Sequence, residues 1–530
     1  MSNRTKAAIF ALVVLPLLAG GFVNQQRDAR DGARLLDQVL TIVQGRFVDS
    51  VDAGSLYEKA ARGLVHELND PYSVLLSPKE LAQFNASTGG KYGGVGMEIA
   101  EIQGYVTVQR VFPHTPAEQA GIMEGDRIIA IDTAANTRGW TTAQVSDALK
   151  GRPGSKVSVK FARAGVVEPI PVTFTRANVR IPAVPFAIML DGKIGYIPLQ
   201  QFNETATEEV ENSIRRLVNE GARGLVLDLR GNGGGYLEQS ASIANLFLGK
   251  GQEISSVRGR GGERQVFFAT QTPVVPNTPL VILTDGRSAS ASEIVAGALQ
   301  DHDRAVIVGT TSFGKGLVQT VYPLEGGYAL KMTTAKWFTP SGRSIQKDRK
   351  LLPDGSFVET LPDSMETDSV RKTRPKFKSD AGRTVYGGGA VTPDLIVQPD
   401  TLNASEQKLL TALAPKAQIF RSTLINYAVE HKGKMQPGFV VPRAWREEFY
   451  RRLVAGGVKV EKAQFDAGGS EIDRMLGSSI TRISFGDSTA KRRDIADDAQ
   501  LRRSLELLRR GQTQKDLFVL LTTPTTAAIR

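Results

Sequence analysis

Hydrophobic residues near the N-terminus recur every three to four positions. Leu35-Leu36, Val39-Leu40 and Ile42-Val43 follow this spacing, and the segment 56–68 repeats it before Asn69-Asp70-Pro71 interrupts the pattern. A period close to 3.6 residues indicates helices with one apolar face, and a proline after Asn-Asp is typical of a helix break. Most of the N-terminal region up to residue 86 is therefore predicted to be helical.

The pattern then changes twice along the chain. Residues 91–178 contain short β-rich runs, such as 105–108 and 157–161, which are separated by glycine turns. From about 180 to 400, apolar strands alternate with helical stretches, which predicts a layered α/β core. Helical spacing returns after 401. The sequence thus predicts a multidomain protein of α/β (α+β) class, in which an inserted β-rich module and two helical regions accompany the α/β core.

Composition narrows the chemistry. The 530 residues are 41% hydrophobic and 23% charged, which is a globular composition. The chain has no cysteine and only four histidines, so thiolate nucleophiles and Cys-based metal sites are excluded.

The net charge of +11 is concentrated near the C-terminus. Residues 401–530 carry +8 of it, from 22 Lys+Arg and 14 Asp+Glu. Their arginine pairs follow helical patterns and are expected to face solvent, with an anionic lipid or an acidic protein as the alternative partner. A nucleic-acid partner is not predicted, because no binding motif accompanies the charge.

The first 26 residues have the pattern of an export signal. Arg4 and Lys6 precede an uncharged apolar run of 17 residues, 7–23, which is at the short limit for spanning a bilayer. We expect residues 1–26 to be an uncleaved signal anchor, with Arg4 and Lys6 on the cytoplasmic side and the bulk of the chain facing outward. Cleavage near Ala19 or Gly20, followed by export, is the alternative.

Three chemistries that short motifs suggest each lack a residue that they require. A G-x-x-x-x-G-K string at 309–315 is followed by Gly316, where nucleotide binding needs a Ser or Thr for magnesium, and then by a strand-like run where it needs a helix. The glycine string 231–235 has Gly233 where a trypsin-like protease has its serine. His66-Glu67 lacks the second histidine of a zinc protease. Nucleotide binding, a Ser-His-Asp triad and a zinc protease are therefore not expected.

A serine and a lysine form the remaining candidate pair. The string SASASE, 288–293, follows an apolar strand that ends at Thr284 and opens a helical run. A serine in such a turn projects its hydroxyl toward a cleft, and the free amides at a helix start favour a developing oxyanion. Lys315 lies 25 residues after Ser290, a separation that one helix and one strand can span. A neutral lysine can accept the serine proton, provided that its pKa falls from ~10.4 toward 7. From the pattern alone, an N-cap serine and a surface lysine stay open as the alternative.

Five strings together closely resemble the carboxyl-terminal processing proteases, or tail-specific proteases, a serine/lysine family of bacterial envelopes and chloroplasts. The strings are DLRGNGGG at 228–235, SASASE at 288–293, FGKGLVQ at 313–319, TPSGRSIQ at 339–346 and GGAVTPD at 388–394. With the regions upstream of them, the resemblance covers about residues 30–400. It implies an endopeptidase that works through an acyl-enzyme, with no metal and no cofactor. Together with the apolar N-terminal run, it implies a bacterial cell envelope, with residues 1–26 anchored in the inner membrane and the catalytic domain in the periplasm.

The resemblance also assigns individual roles. It implies that Ser290 is the nucleophile, that Lys315 is the general base, and that Gln319 orients this lysine from the same face of a strand. The oxyanion donors it implies are the backbone N–H groups of Ala291 and of a glycine in the 233–235 turn, for which Gly234 is the best alignment.

The β-rich module resembles a PDZ domain. The matching strings are YGGVGMEI at 92–99, TPAEQAGI at 115–122 and EGDRII at 124–129. A PDZ loop offers backbone N–H groups to a terminal carboxylate while the adjoining strand pairs with the incoming tail. The resemblance therefore implies that the tail-binding residues are Gly94, Val95, Gly96, Met97 and Ile99, although Val95 fits the module core equally well.

Boundaries and partners follow from these assignments. The expected segments are 1–26 (anchor), 27–86 (helical), 87–180 (PDZ), 181–400 (protease core, with a flexible insertion at 347–386) and 401–530 (helical). The expected partners are proteins and peptides with free C-termini, and a homodimer through the two helical regions and a regulatory adaptor are further hypotheses. The rival functions are a PDZ-bearing scaffold, a protease that rests inactive until a partner binds, and an enzyme or carrier of acyl groups.

Overall fold

A computed structural model describes residues 31–102, 104–163, 165–347, 349–351, 357–359 and 372–522. The chain divides into two compact units. The first contains the residues up to Leu81 together with 319–333 and 351–356, and the second contains the rest. The predicted anchor, residues 1–26, lies outside the described residues. Among the described residues, no helix is both long enough and apolar enough to cross a bilayer.

The first unit is largely helical. Residues 31–46 form one helix and Ala53–His66 form the next, and the segment Pro78–Gly89 begins a third. The helical prediction for this region is correct except at Val74–Leu76, which form a strand. This strand pairs antiparallel with Ala329–Lys331, a partner that is too distant in sequence for the local pattern to reveal.

A six-stranded sheet forms the centre of the second unit. Its strands, in spatial order, are Leu395–Ile396, Val306–Gly309, Leu280–Thr284, Gly224–Asp228, Ile194–Pro198 and Ile188–Leu190. All neighbouring strands are parallel except the last pair. Parallel strands are usually covered on both faces, and the sequence of the central strands is accordingly apolar throughout.

Side chains of successive residues point to opposite faces of this sheet. Leu225 and Leu227 pack in one core with three helices, and Val226 packs in a second core with two others. The helices of the first face are Ala206–Asn219, Leu237–Asn245 and Ala291–Asp301, and those of the second are Ala499–Arg510 and Gln514–Thr522. The result is the α/β core that the alternating pattern predicts.

Further strands lie outside this sheet and are divided between the two units. Their bounds are Glu253–Gly259, Arg264–Phe268, Leu317–Pro323, Ala329–Phe338, Arg349–Leu351 and Phe357–Glu359. Within the second unit, Ser256–Gly259 pair antiparallel with the end of the strand Ala329–Phe338. Trp337, near the end of this strand, is buried in the α/β core.

The prediction of a flexible insertion over 347–386 is wrong for residues 372–386. They form a hairpin of the strands Lys376–Lys378 and Thr384–Tyr386. Arg383 anchors the hairpin, because its guanidinium pairs with Asp303 and, at 2.5 Å, with Asp394. These ion pairs with two carboxylates of the core hold the hairpin in place. Residues 352–356 and 360–371 lie outside the described residues.

The β-rich module is a five-stranded antiparallel sheet. Its strands follow one another in chain order: Met97–Ile102, Tyr105–Val111, Arg127–Ile131, Lys156–Ala162 and Ile170–Thr175. Two helices, Pro116–Gln119 and Thr142–Leu149, close its core. The strands Lys91–Gly94 and Ala177–Arg180 pair where the module joins the α/β core. This architecture confirms an inserted module of the predicted kind.

The C-terminal region is helical, as predicted. Its helices are Ala404–Leu413, Ala417–Glu430, Arg443–Ala455, Lys462–Ala467 and Gly469–Asp494, followed by the two helices on the sheet. The first five build a core of their own, and a non-helical Gly486 divides the longest of them. Among the arginine pairs of this region, Arg452 is bound to Glu448 one turn earlier on its own helix and to Glu430 at the end of the helix Ala417–Glu430.

Candidate active site

Ser290 lies in a strained turn between the strand Leu280–Thr284 and the helix Ala291–Asp301. Its φ of 56° is left-handed, a region that costs a non-glycine residue about 1–3 kcal/mol. Hydrogen bonds to the loop that follows the strand Gly224–Asp228 hold the turn: Ser288 Oγ donates to Leu229 O at 2.8 Å, and Ala289 N–H donates to Asn232 O at 3.0 Å. A strained backbone that surrounding contacts hold in place is typical of functional sites.

The glycine turn, residues 231–235, lies directly against Ser290. A Cβ built on Gly234 would lie 3.0 Å from Ser290 Cβ and 2.8 Å from Ala289 O. Gly234 also has a φ of 98°, so only glycine fits there without strain. The absence of a side chain lets this backbone approach the serine closely.

The backbone donors around Ser290 are not equivalent. Gly234 N–H donates to Asn232 Oδ1 at 2.9 Å, so this conformation already engages the amide that sequence reasoning selected. The N–H groups of Ala291 and Gly233 have no hydrogen-bond acceptor among the described residues. Ala291 is the first residue of its helix, where an unpaired N–H and the helix dipole both favour a negative oxygen.

Glu293 joins the serine turn to the loop that carries Lys315. This fully buried carboxylate accepts four hydrogen bonds. Oε2 accepts from the N–H groups of Ser290 at 2.8 Å and Lys315 at 2.9 Å, and Oε1 accepts from Ser312 Oγ at 2.5 Å and Gly314 N–H at 2.6 Å. Because one oxygen binds both amides, the backbone nitrogens of Ser290 and Lys315 lie within two hydrogen-bond lengths of each other.

Burial and hydrogen bonding have opposite effects on this carboxyl group. Burial raises the pKa of Glu293 above its usual value, while the four donors act to lower it. All four neighbours are donors, so the ionised form is the one that satisfies them. Sequence reasoning gave Glu293 no role. The available signal was an acidic residue three positions after a serine at the start of an otherwise apolar helix, which is typical of a capping box.

The opposite side of the lysine loop, residues 310–316, is also fixed. Trp337 Nε1–H donates to Lys315 O at 3.1 Å, and Trp337 N–H donates to Gly316 O at 3.0 Å. Gly316 N–H donates to Gln346 Oε1 at 2.8 Å. The backbone of Lys315 is thus held between Glu293 and Trp337, and its side chain is half-buried.

Gln319 lies outside the loop that carries Lys315. It is on the strand Leu317–Pro323, in the first unit, where its Nε2 lies 3.4 Å from Thr333 Oγ1. The strand begins only at Leu317, so the alternation argument that related Gln319 to Lys315 does not apply: Lys315 is in the preceding loop.

The loop and strand that were predicted to bind a peptide tail border a groove of about 330 Å³. Val95, Met97 and Ile99 line it, and Val95 is also part of the module core. Gly94 and Gly96 shape the loop. A Cβ on Gly94 would lie 2.6 Å from the Tyr92 ring, and one on Gly96 would lie 2.3 Å from Thr115.

Several other residues line this groove and were not predicted. They are Gln83, Ala86, Ser87, Tyr92, Glu98, Phe112, Ser146, Leu149, Lys150 and Ile181. Burial raises the pKa of Tyr92 to about 12, although the backbone N–H groups of Met97 and Gly96 act in the opposite direction. Its phenol therefore stays neutral at physiological pH, and the groove combines an apolar floor with a few polar groups, which is typical of a peptide site.

Comparison with known families adds independent information. A profile of peptidase family S41 matches residues 193–356, and a PDZ domain profile matches residues 107–163. A profile of the N-terminal domain of the activating protease CtpB matches residues 22–79. The three matches follow the chain from the helical N-terminus into the α/β core.

Individual relatives agree with these profiles. A carboxy-terminal-processing protease of Bartonella bacilliformis is 36% identical over 364 residues, which cover 67% of this chain and 82% of that protein. A carboxyl-terminal-processing protease of Picosynechococcus is 38% identical over 382 residues, covering 67% of this chain and 90% of that protein. A solved structure, a photosystem II D1 C-terminal processing protease, is 29% identical, covers 61% of this chain and 91% of its own, and has a TM-score of 0.36.

Proposed function

Since the chain belongs to peptidase family S41 and to its carboxy-terminal-processing proteases, we propose that it is a serine endopeptidase that cleaves proteins whose free C-termini its PDZ domain captures. In this proposal Ser290 is the nucleophile and Lys315 is the general base. The observation that carries it is the Glu293 carboxylate, which binds the backbone amides of both residues through a single oxygen.

The proposed reaction runs through an acyl-enzyme. The neutral Lys315 amine accepts the Ser290 proton as the hydroxyl oxygen attacks the scissile carbonyl carbon. The same amine then returns the proton to the departing amide nitrogen, and a water molecule hydrolyses the ester. Ala291 N–H and a glycine N–H of the 233–235 turn would stabilise the oxyanion, because both border Ser290. For Gln319 the proposed orienting role rests on the family resemblance alone.

Substitution of the dyad tests the catalytic part of this proposal. Ser290→Ala and Lys315→Ala are each expected to abolish cleavage of a tailed substrate while circular dichroism stays unchanged. Ser213→Ala and Lys408→Ala are matched controls, since both residues lie on helices away from the site. Normal turnover by Lys315→Ala would refute the dyad.

A pair of peptides tests tail recognition. The two peptides share one sequence, and one ends in a free carboxylate while the other ends in an amide. A PDZ loop binds the carboxylate through backbone N–H groups, so the amidated peptide is expected to bind and be cleaved more weakly. Equal affinity and equal rates would remove the tail-binding role and leave the peptidase role intact.

A protease that rests inactive until substrate or a partner binds is the second candidate. One observation favours it: Gly234 N–H is bound to Asn232 Oδ1 and is not available to an oxyanion in this conformation. If this candidate is correct, a lag or a sigmoidal dependence of rate on tail concentration is expected. A PDZ-bearing scaffold without activity would instead cleave nothing under any condition.

Dimerisation and location are further parts of the proposal. Leu35, Leu36, Val39 and Ile42 on the helix 31–46 are all about half exposed or more, which supports burial of this face against a second copy. Light scattering that reports a monomer at all concentrations would exclude the homodimer.

For residues 1–26 we propose an anchor in the bacterial inner membrane. Recovery of the chain from the soluble fraction without proteolytic trimming would contradict this.

A further inference from the structure

The guanidinium group of Arg230 lies between the carboxylates of Asp228 and Asp498. Its guanidinium binds Asp228 through Nε–H to Oδ1 at 2.9 Å and Nη2–H to Oδ2 at 2.6 Å. It binds Asp498 through Nη1–H to Oδ1 and Nη2–H to Oδ2, both at 2.8 Å. Two such bidentate pairs fix both the position and the plane of a guanidinium group. Asp498 comes from a distant part of the chain, 268 residues after Arg230.

This cluster is shielded from solvent and balanced in charge. The side chains of Arg230 and Asp498 are 18% and 13% exposed. Lys491 Nζ donates to Asp498 Oδ2 at 2.8 Å, so two cations face two carboxylates. Burial alone would raise the pKa of Asp498, but the hydrogen bonds and the charge of Arg230, followed by Lys491, hold its pKa well below the usual range.

The backbone beside Arg230 is bound directly to the serine turn. Leu229 O accepts from Ser288 Oγ at 2.8 Å, and Gly231 N–H donates to Asp285 Oδ1 at 2.9 Å. These contacts lie one residue before and one residue after Arg230. The segment that carries Arg230 is therefore hydrogen-bonded on both sides to the turn that leads to Ser290.

We propose that Asp498 is a positioning residue for the active site: it holds Arg230, and through Arg230 it fixes the glycine turn opposite Ser290. The proposal rests on the proposed serine peptidase function and deepens it. It also gives the C-terminal region a part in catalysis, since Asp498 is the N-cap of the helix Ala499–Arg510 and lies beyond the residues that the peptidase profile matches.

Asp498→Asn tests the proposal with little change in shape. The amide keeps one oxygen for Arg230 but loses the negative charge and one acceptor. Asp400→Asn is the matched control: Asp400 binds Arg502 at 3.1 Å and the N–H of Ala499 at the same helix start, but it is half exposed and does not contact Arg230. Both variants are prepared as the full chain, with wild type in parallel.

Hydrogen exchange of the segment 229–236 is the first measurement, because it needs no catalysis. The amides of Gly231 and Gly234 are hydrogen-bonded in this segment, and Asp498→Asn is expected to speed their exchange about tenfold or more, while Asp400→Asn leaves it unchanged. An unchanged exchange rate in Asp498→Asn would overturn the proposal whether or not the chain cleaves peptides.

Kinetics on a tailed peptide is the second measurement. We expect kcat to fall by on the order of tenfold to a hundredfold in Asp498→Asn, with KM and the amplitude of the acylation burst per total chain unchanged. A variant that had merely unfolded would lose burst amplitude instead. Wild-type inactivity would contradict the proposed function alone, since the exchange result stands by itself.

If Asp498→Asn does not fold, Gln500→Leu removes the neighbouring acceptor of Arg230 Nη1, which lies at 3.0 Å. A smaller change in the same direction is then expected, and no change would again contradict the proposal.

Discussion

Replacing Glu293 by glutamine should weaken the hydrogen bonds that hold the backbone of Ser290 and Lys315 while keeping both of their side chains. The carboxylate accepts four hydrogen bonds from buried donors, two at each oxygen. A glutamine has one acceptor oxygen, so its amide nitrogen would face the two donors on the other side. With the oxygen toward the amides of Ser290 and Lys315, the Ser312 hydroxyl can rotate, but Gly314 N–H is left facing another donor.

The magnitude follows from these losses. One or two buried hydrogen bonds disappear, and each unsatisfied buried donor costs about 1–3 kcal/mol. The neutral amide recovers part of the desolvation penalty that burial imposes on the carboxylate, which is the cause of its raised pKa. We therefore expect the free energy of unfolding to fall by about 2–4 kcal/mol. The turnover number should fall further than the loss of folded protein explains, because Ser290 and Lys315 lose their common support.

Urea denaturation and hydrolysis of a free-tailed peptide measure the two effects. Glu238→Gln is the matched control, because Glu238 is an exposed glutamate in the first turn of the helix Leu237–Asn245. If Glu293→Gln kept the unfolding midpoint and the rate of this control, the four hydrogen bonds would not support the site and the reasoning would be wrong.

Three further substitutions test other parts of the account. Gly234→Ala should strain a φ of 98° and press a Cβ against Ser290, lowering stability by about 1–3 kcal/mol and lowering peptide hydrolysis; wild-type activity would show that the close approach is unnecessary. Arg343→Met, which leaves a buried aspartate unpaired, should cost about 3–5 kcal/mol in urea denaturation, and a loss below 1 kcal/mol would contradict it. Hydrogen bonds from Arg62 and then Ser77 lower the pKa of Glu80 to about 2, so the stabilisation is present above the unfolded value near 4.5 and is lost as pH falls toward 2; the melting temperatures of wild type and Glu80→Gln should converge over that range, and a constant difference would refute the pairing.

Local sequence information was sufficient for the residues around the proposed dyad. A strand, a turn and a helix within 280–301 place Ser290 before a helix N-terminus, and these elements depend on neighbours in the sequence. The position of Lys315 after the next strand follows from the same alternation. The relation of Gln319 to Lys315 was harder to predict, because hydrophobic alternation does not fix the exact residue at which a strand begins, here Leu317.

Long-range pairs explain what sequence reasoning missed. Arg230 and Asp498 are 268 residues apart, and no periodicity connects them. Residues 347–386 were predicted to be flexible from their charge and their Pro/Ser content, yet residues 372–386 form a hairpin in which Arg383 pairs with Asp303 and Asp394 of the core. In both cases the charge pattern was visible in the sequence, but its partner was supplied by tertiary structure.

Trapping the covalent intermediate tests the central claim most directly. The full chain is mixed with a peptide that has a free C-terminus, the reaction is quenched with acid within the first turnover, and the digest is analysed by mass spectrometry. The account predicts an acyl group on Ser290 in the wild type and none in Lys315→Ala. An acyl group on a different residue, or undiminished acylation of Ser290 without the Lys315 amine, would contradict it.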